Sequence, residues 1–400
     1  MSSLDTEVLI VGAGPSGAEL ARLLACAGVQ VLLVDQLADL SQAAFSSAAL
    51  PLDAVERFGL PASVVAHRWS GWQLHGPGDG IRHWTAARPM GAVLDFGKLR
   101  QWLVDQARGW GARVELGLRA IRCETEGADS LCTVLRERGG RLRRLSSSWV
   151  IDASGQQRAL IGDPATPADL VNGVGVEWLM RVPQDVWLRW SGSLSFCLGT
   201  DWVPQGYGWL FPMQPGVLKL GVCRLEDGRR RQPPLAVLQQ RLVDRLLASS
   251  GDRCTVIDRH GGRIRSTVRR REVHRRGRLI GLGDAVSTAN LLGGEGIRHA
   301  LTSSRVLAPL LLQALDAVRS DPLAAYPARL RRSLGPRWSL SGRLARRTWL
   351  GLVDERADRR LSALLRGLEG CSADDLSALL FDYRFERYGL RALPYLLGLR

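Results

Sequence analysis

Lysine is almost missing from this chain. Of its 54 basic residues only Lys98 and Lys219 are lysines, and the rest are arginine. Cysteine is scarce and scattered, seven in 400 residues with no C-x-x-C pair. Neither a zinc site nor a disulfide framework is therefore signalled. The six histidines show no ligand spacing, so no metal is expected. No run reaches the roughly 18 apolar residues of a membrane span. The longest candidates, VLAPLLLQAL (306–315) and LPYLLGL (393–399), fall well short. The opening MSSLDTEVLIVGAG carries acids where a secretory signal needs bases. These absences predict a reduced, cytoplasmic protein that could still touch a membrane surface. Apolar residues are not lacking: 46% hydrophobic against 23% charged supports a large core.

Near the start, EVLIVGAGPSGAELARLLACAGVQVLLVDQ (7–36) joins three predicted elements. Val8–Val11 reads as a buried strand, Leu20, Leu23, Leu24 and Ala27 recur at helical spacing, and Val29–Val34 reads as a second strand. Gly28 suits the helix C-terminus. Between strand and helix stands Gly12-Ala13-Gly14-Pro15-Ser16-Gly17. Gly12 permits a tight turn, Gly14 lets backbone approach a pyrophosphate, and Gly17 allows close packing of helix on strand. The helix N-terminus would stabilise the diphosphate. Asp35, followed by Gln36, ends the second strand 18 residues past Gly17. An acid there accepts from free ribose hydroxyls and disfavours a 2′-phosphate, so FAD or NAD is expected rather than NADP.

An NAD dehydrogenase would continue with further βα units. Here VLDFGKLRQWLVDQARGWGARVELG (93–117) reads as an amphipathic helix and a strand, and 171–225 reads as several strands. A buried strand returns only near residue 279, leading into GLGDAVSTANLLGGEGIRHA (281–300). HGPGDG (75–80) reads as a turn, so the chain carries no second dinucleotide fingerprint.

The glycine turn, VIDASG (150–155) and GLGDAVSTANLLGGEGI (281–297) together resemble flavoproteins of the para-hydroxybenzoate hydroxylase fold. Within it the geranylgeranyl reductase-like family is most similar, over roughly residues 5–320. The resemblance implies an α/β chain (α+β overall). A Rossmann-like FAD-binding domain (1–45, 93–165 and 275–318) would interleave with a mixed or antiparallel-sheet substrate domain (46–92 and 166–274). Residues 319–400 would form a C-terminal helical cap on the substrate side, with a capping box at Ser372 and Asp375. It implies FAD bound by the first turn and by Gly283 and Asp284 at the ribityl chain. Gly294, Glu295, Gly296 and Ile297 would face the pyrimidine ring at a helix start, whose partial positive charge favours reduced flavin. Two positions depart from the family pattern: Leu291 where relatives have proline, and Phe96 where they often have arginine, with Lys98 or Arg100 as substitutes.

The fold hosts alkene hydrogenation, oxygen insertion and halogenation. Halogenases place a lysine between flavin and substrate, and neither lysine here has that context. YGWLFPMQPGVLKLGVC (207–223) resembles a family element on the substrate side. Trp209, Phe211, Trp178 and Phe196 would line an apolar cavity. The expected activity is reduction of carbon–carbon double bonds in an isoprenoid or similar apolar small molecule. An external donor such as NAD(P)H or ferredoxin would supply the electrons. A monooxygenase of the same fold and a reduced-flavin-dependent carotenoid cyclase are the alternatives. No catalytic acid or base is assigned: Glu295 reads as a backbone-positioning residue and His299 as facing outward. The arginine-rich stretches 259–278 and 328–347, the second interleaved with Leu330, Leu334, Trp338, Leu340 and Leu344, suit an anionic membrane surface. No nucleic-acid motif accompanies them.

Overall fold

The computed structural model describes residues 4–42, 46–78, 80–164, 170–229, 232–248, 253–267, 272–316 and 321–386. The apolar segment 393–399, Asp79 and part of the first arginine run (268–271) lie outside the described residues.

The glycine fingerprint folds as β1 (Thr6–Val11), α1 (Pro15–Cys26) and β2 (Val31–Asp35). β1 runs parallel to β2 on one side and to the strand Leu142–Asp152 on the other. The strand Leu279–Gly281 joins beyond, also parallel. One face of this sheet is covered by α1 and the helices Phe96–Gly109 and Ile297–Asp316. The other is covered by the antiparallel strands Leu118–Thr125 and Leu131–Glu137. Burial on both faces explains why VLIV and VLLV are unbroken apolar runs.

A second sheet has seven strands, in the order Thr255–Thr267, Leu170–Arg181, Val217–Glu226, Gly206–Pro212, Ser193–Leu198, Gly71–His75 and Ile81–Thr85. Alternation along its strands sorts side chains between its two faces. Trp209 and Phe211 join an aromatic cluster with Trp69, Trp72 and Tyr207. Leu210, Leu218 and Leu220 face the other way, against the helices Gln184–Trp190 and Leu235–Leu247. Trp178 belongs to this second face, under the Arg259 guanidinium at 4.9 Å, and so does not line the cavity as expected. Its neighbour Glu177 takes the inner face and accepts from Trp209 Nε1 at 3.0 Å. The strands on either side of HGPGDG pair antiparallel, with Gly76 N donating to Gly80 O at 2.9 Å.

Among the described residues three helices follow: Tyr326–Gly351, broken at Gly335 and Pro336, then Glu355–Gly367 and Ala373–Leu380. The capping box is formed, with Asp375 N donating to Ser372 Oγ at 3.1 Å and Ser372 N to Asp375 Oδ2 at 3.2 Å. The apolar stripe of the second basic stretch faces protein rather than a membrane. Leu330, Trp338 and Leu344 are buried, and of the five apolar positions only Leu340 is exposed. No described helix is long and apolar enough to cross a membrane.

Candidate active site

The turn between β1 and α1 is built by close backbone approach. Gly12 has φ +110°, and a β-carbon there would lie 2.7 Å from the Ala153 carbonyl carbon. Gly17 backs onto the Gly12 carbonyl. Gly14 differs, because nothing lies within 4 Å of where its side chain would stand. It caps α1 with no side-chain hydrogen bond, and the first-turn N–H groups have no intrahelical partner. Asp35 does more locally than expected. Its Oδ2 accepts from Ala13 N at 2.7 Å and its Oδ1 from Leu37 N at 2.8 Å, so it first fixes the turn. A carboxylate has about four acceptor sites, which leaves lone pairs for ribose hydroxyls. Gln36 is exposed just beyond.

The VIDASG strand ends at Asp152, which is fully buried. It accepts from Ser154 N, Leu160 N and Ile161 N at 3.0, 2.8 and 2.7 Å. A buried carboxylate needs such partners, so its role is to organise the loop beside Gly12.

The late glycine segment lands on the first turn. Gly283 has φ +64°, and a β-carbon there would sit 2.8 Å from Ser16 Cβ. Ser304, on the helix Ile297–Asp316, donates to Ser16 O at 2.7 Å. Asp284 accepts from Thr288 Oγ1 at 2.9 Å; burial pushes its carboxyl up against that bond. A β-carbon at Gly296 would stand 3.6 Å from Asp284 Oδ2. Leu291, which stands where the family pattern has proline, is buried against the aromatic cluster. The loop is held instead by Asn290. Its N–H donates to Glu295 O at 2.8 Å, its Oδ1 accepts from Leu292 N at 2.9 Å, and its Nδ2 donates to Ser341 Oγ at 2.5 Å.

Glu295, Arg298 and His299 form a buried cluster with Tyr383. Arg298 Nε and Nη2 both pair with the Glu295 carboxylate, the Nη2 contact at 3.0 Å. The Tyr383 hydroxyl donates to Glu295 Oε2 at 3.0 Å, so His299 Nε2–H donates to the tyrosine oxygen, also at 3.0 Å. His299 is therefore buried, not outward as expected, because Tyr383 arrives from 84 residues away to cover it. Burial works to raise the Glu295 carboxyl, but the Arg298 charge and the surrounding hydrogen bonds outweigh it and hold it at about 2. A carboxyl depressed in the fold stabilises above its usual value of 4.5, and that contribution fades as pH falls toward 2. The stability gap between wild type and Glu295→Gln should therefore be widest near neutral pH and narrow below pH 4.5. Urea unfolding at a series of pH values checks this, and a gap independent of pH would refute it.

These two segments open onto one cavity of about 820 Å³. Pro15, Asp284 and Gly294–Ile297 border it at one end. Trp72, Phe196, Trp209 and Phe211 from the second sheet continue the wall, and Leu361, Leu365 and Leu376 of the C-terminal helices close it. Phe96 also borders the cavity, but neither proposed substitute for the family arginine does. Lys98 is exposed beside Asp95, and Arg100 is buried with its guanidinium donating to Leu40 O and Gln42 O. Tyr207, within the quoted YGWLFP element but not singled out, lies at the junction. A β-carbon at Gly294 would be 3.3 Å from its hydroxyl.

An open Gly14 at a free helix start, joined through Ser16 and Gly283 to Asp284 and a second helix start, fits an elongated diphosphate-containing flavin. The fold and site are those of a flavoprotein. The chain belongs to the FAD-binding domain family, whose model matches residues 5–333. It is an FAD-dependent oxidoreductase. A similar curated protein is the digeranylgeranylglycerophospholipid reductase of Haloferax volcanii, 27% identical over 80% of this chain and 78% of that protein. Among solved structures, a geranylgeranyl bacteriochlorophyll reductase-like protein of Thermoplasma acidophilum superposes with TM-score 0.74 at 19% identity. It covers 95% of this chain and 97% of its own. A p-nitrophenol 4-monooxygenase of Pseudomonas putida superposes with TM-score 0.70 at 18% identity, covering 96% and 98%.

Proposed function

We propose that this oxidoreductase hydrogenates carbon–carbon double bonds of an isoprenoid or similar apolar chain. The observation that carries this reading is the cavity. It runs from the glycine turns into aromatic and aliphatic walls, and about 820 Å³ falls within the range of ligand pockets. Similarity to a reductase of geranylgeranyl lipids supports the same reading. In it, Gly12–Gly17 and Asp35 hold the diphosphate and ribose, Gly283 and Asp284 the ribityl chain, and Gly294–Ile297 the ring. When bound and reduced, FAD would supply two electrons as a hydride to one alkene carbon.

The other carbon needs a proton, and Tyr207 is placed to give it. Its hydroxyl borders the cavity beside Gly294, and burial pushes the phenol well above its usual range, so it remains protonated. Tyr207→Phe should lower turnover by roughly 10²–10⁴-fold while leaving FAD affinity unchanged. A parallel loss of flavin would remove this role. The electrons come from an external donor, NAD(P)H or ferredoxin. Incubation with unsaturated prenyl lipids and reductant, read by mass spectrometry, tests the activity. Products gaining hydrogen pairs support reduction, products gaining oxygen select the monooxygenase alternative that shares this fold, and isomers without mass change select the cyclase.

A further inference from the structure

The stretch after the last described helix touches both ends of the cavity. Phe381 lies against Trp69 and Trp72, with ring centroids 6.2 and 5.8 Å away, and forms part of the hydrocarbon wall. Its own carbonyl accepts from Arg298 Nη2, the same guanidinium that pairs with Glu295. Two residues on, Tyr383 donates to Glu295, accepts from His299 and lies 5.8 Å from the Arg298 guanidinium carbon. Tyr383 stands at φ +56°, a backbone state a bulky side chain adopts only when its surroundings impose it. Arg298, His299 and Tyr383 are each less than a tenth exposed, as is the Glu295 side chain. The charge is therefore neutralised inside the fold, by groups drawn from two segments far apart in the chain.

We propose that Tyr383 and Arg298 are positioning residues that seat the Gly294–Ile297 turn by fastening it to the C-terminal cap. They act on the flavin through Glu295, and they link the cap that closes the hydrocarbon end to the turn that meets the ring. The proposal rests on the reading that this turn borders the flavin, but not on the identity of the substrate. Withdrawing the tyrosine hydroxyl leaves Glu295 less neutralised beside the ring, which disfavours the anionic reduced cofactor.

The test uses full-length holoenzyme. Tyr383→Phe should lower the midpoint potential of the bound flavin and raise the FAD dissociation constant roughly tenfold to a hundredfold, the loss expected for one hydrogen bond to a charged group. Arg298→Lys keeps a positive charge beside Glu295 but removes the fork to Phe381 O. It should shift the potential the same way, and it serves if Tyr383→Phe fails to fold. A purely structural cluster predicts something else: a lower melting temperature, with potential, flavin spectrum and FAD affinity at wild-type values. That result in both variants overturns the proposal. Wild-type protein that takes up no FAD overturns the site reading, and the proposal with it.

Discussion

An aspartate at Gly14 is expected to abolish flavin binding while leaving the apo fold at least as stable as the wild type. Gly14 is the N-cap of α1, with φ −73° and ψ −179°, a backbone state open to any residue. Nothing stands within 4 Å of the new side chain. Aspartate caps helices slightly better than glycine and complements the N-terminal dipole, so the apo protein gains a few tenths of a kcal/mol. The proposed diphosphate would occupy the same place. Two like charges about 4 Å apart repel by about 4 kcal/mol at an effective dielectric near 20. That corresponds to roughly a thousandfold loss of affinity. FAD titration and thermal unfolding of apo protein check the two halves separately. A yellow Gly14→Asp protein would place the diphosphate elsewhere.

Gly283→Ala is expected to lose both stability and flavin. The backbone at Gly283 is left-handed, which costs alanine about 1 kcal/mol. Its methyl group would also drive into Ser16, a buried residue of α1 held from behind by Ser304. Overpacking of this kind costs about 1–3 kcal/mol, so a total near 3 kcal/mol is expected. The clash also parts the two segments that meet at the proposed diphosphate, so FAD affinity falls with stability. Chemical denaturation and flavin titration measure the two losses. A Gly283→Ala protein as stable and as yellow as wild type would show that the segments do not meet as described.

The elements most legible in the sequence were those whose physics is local. The glycine turn, its flanking strands and the capping box at Ser372 are each set by residues within a few positions of one another. The Gly-Asp and Gly-Glu-Gly-Ile segment was visible too, because glycines that dense signal close backbone approach. What escaped was decided by distant partners. His299 looked exposed because nothing near it in sequence announces Tyr383. Trp178 looked like a cavity residue until strand alternation gave the inner face to Glu177. The apolar positions of 328–347 looked free for a membrane, but the fold had already covered Leu330, Trp338 and Leu344. Asp35 reads from sequence as a ribose acceptor, whereas its bond to Ala13 N depends on the turn in three dimensions.

The proposed reaction is delivery of hydride into the apolar cavity from one FAD site, assembled from the segments at Gly12–Asp35 and Gly283–Ile297. A single anaerobic turnover tests it most directly. Protein carrying reduced flavin is mixed with an unsaturated prenyl lipid, and flavin absorbance and product mass are followed together. The prediction is reoxidation without oxygen, with one double bond saturated for each flavin reoxidised. Flavin that stays reduced until oxygen is admitted, with a product that then carries a new oxygen atom, would contradict it.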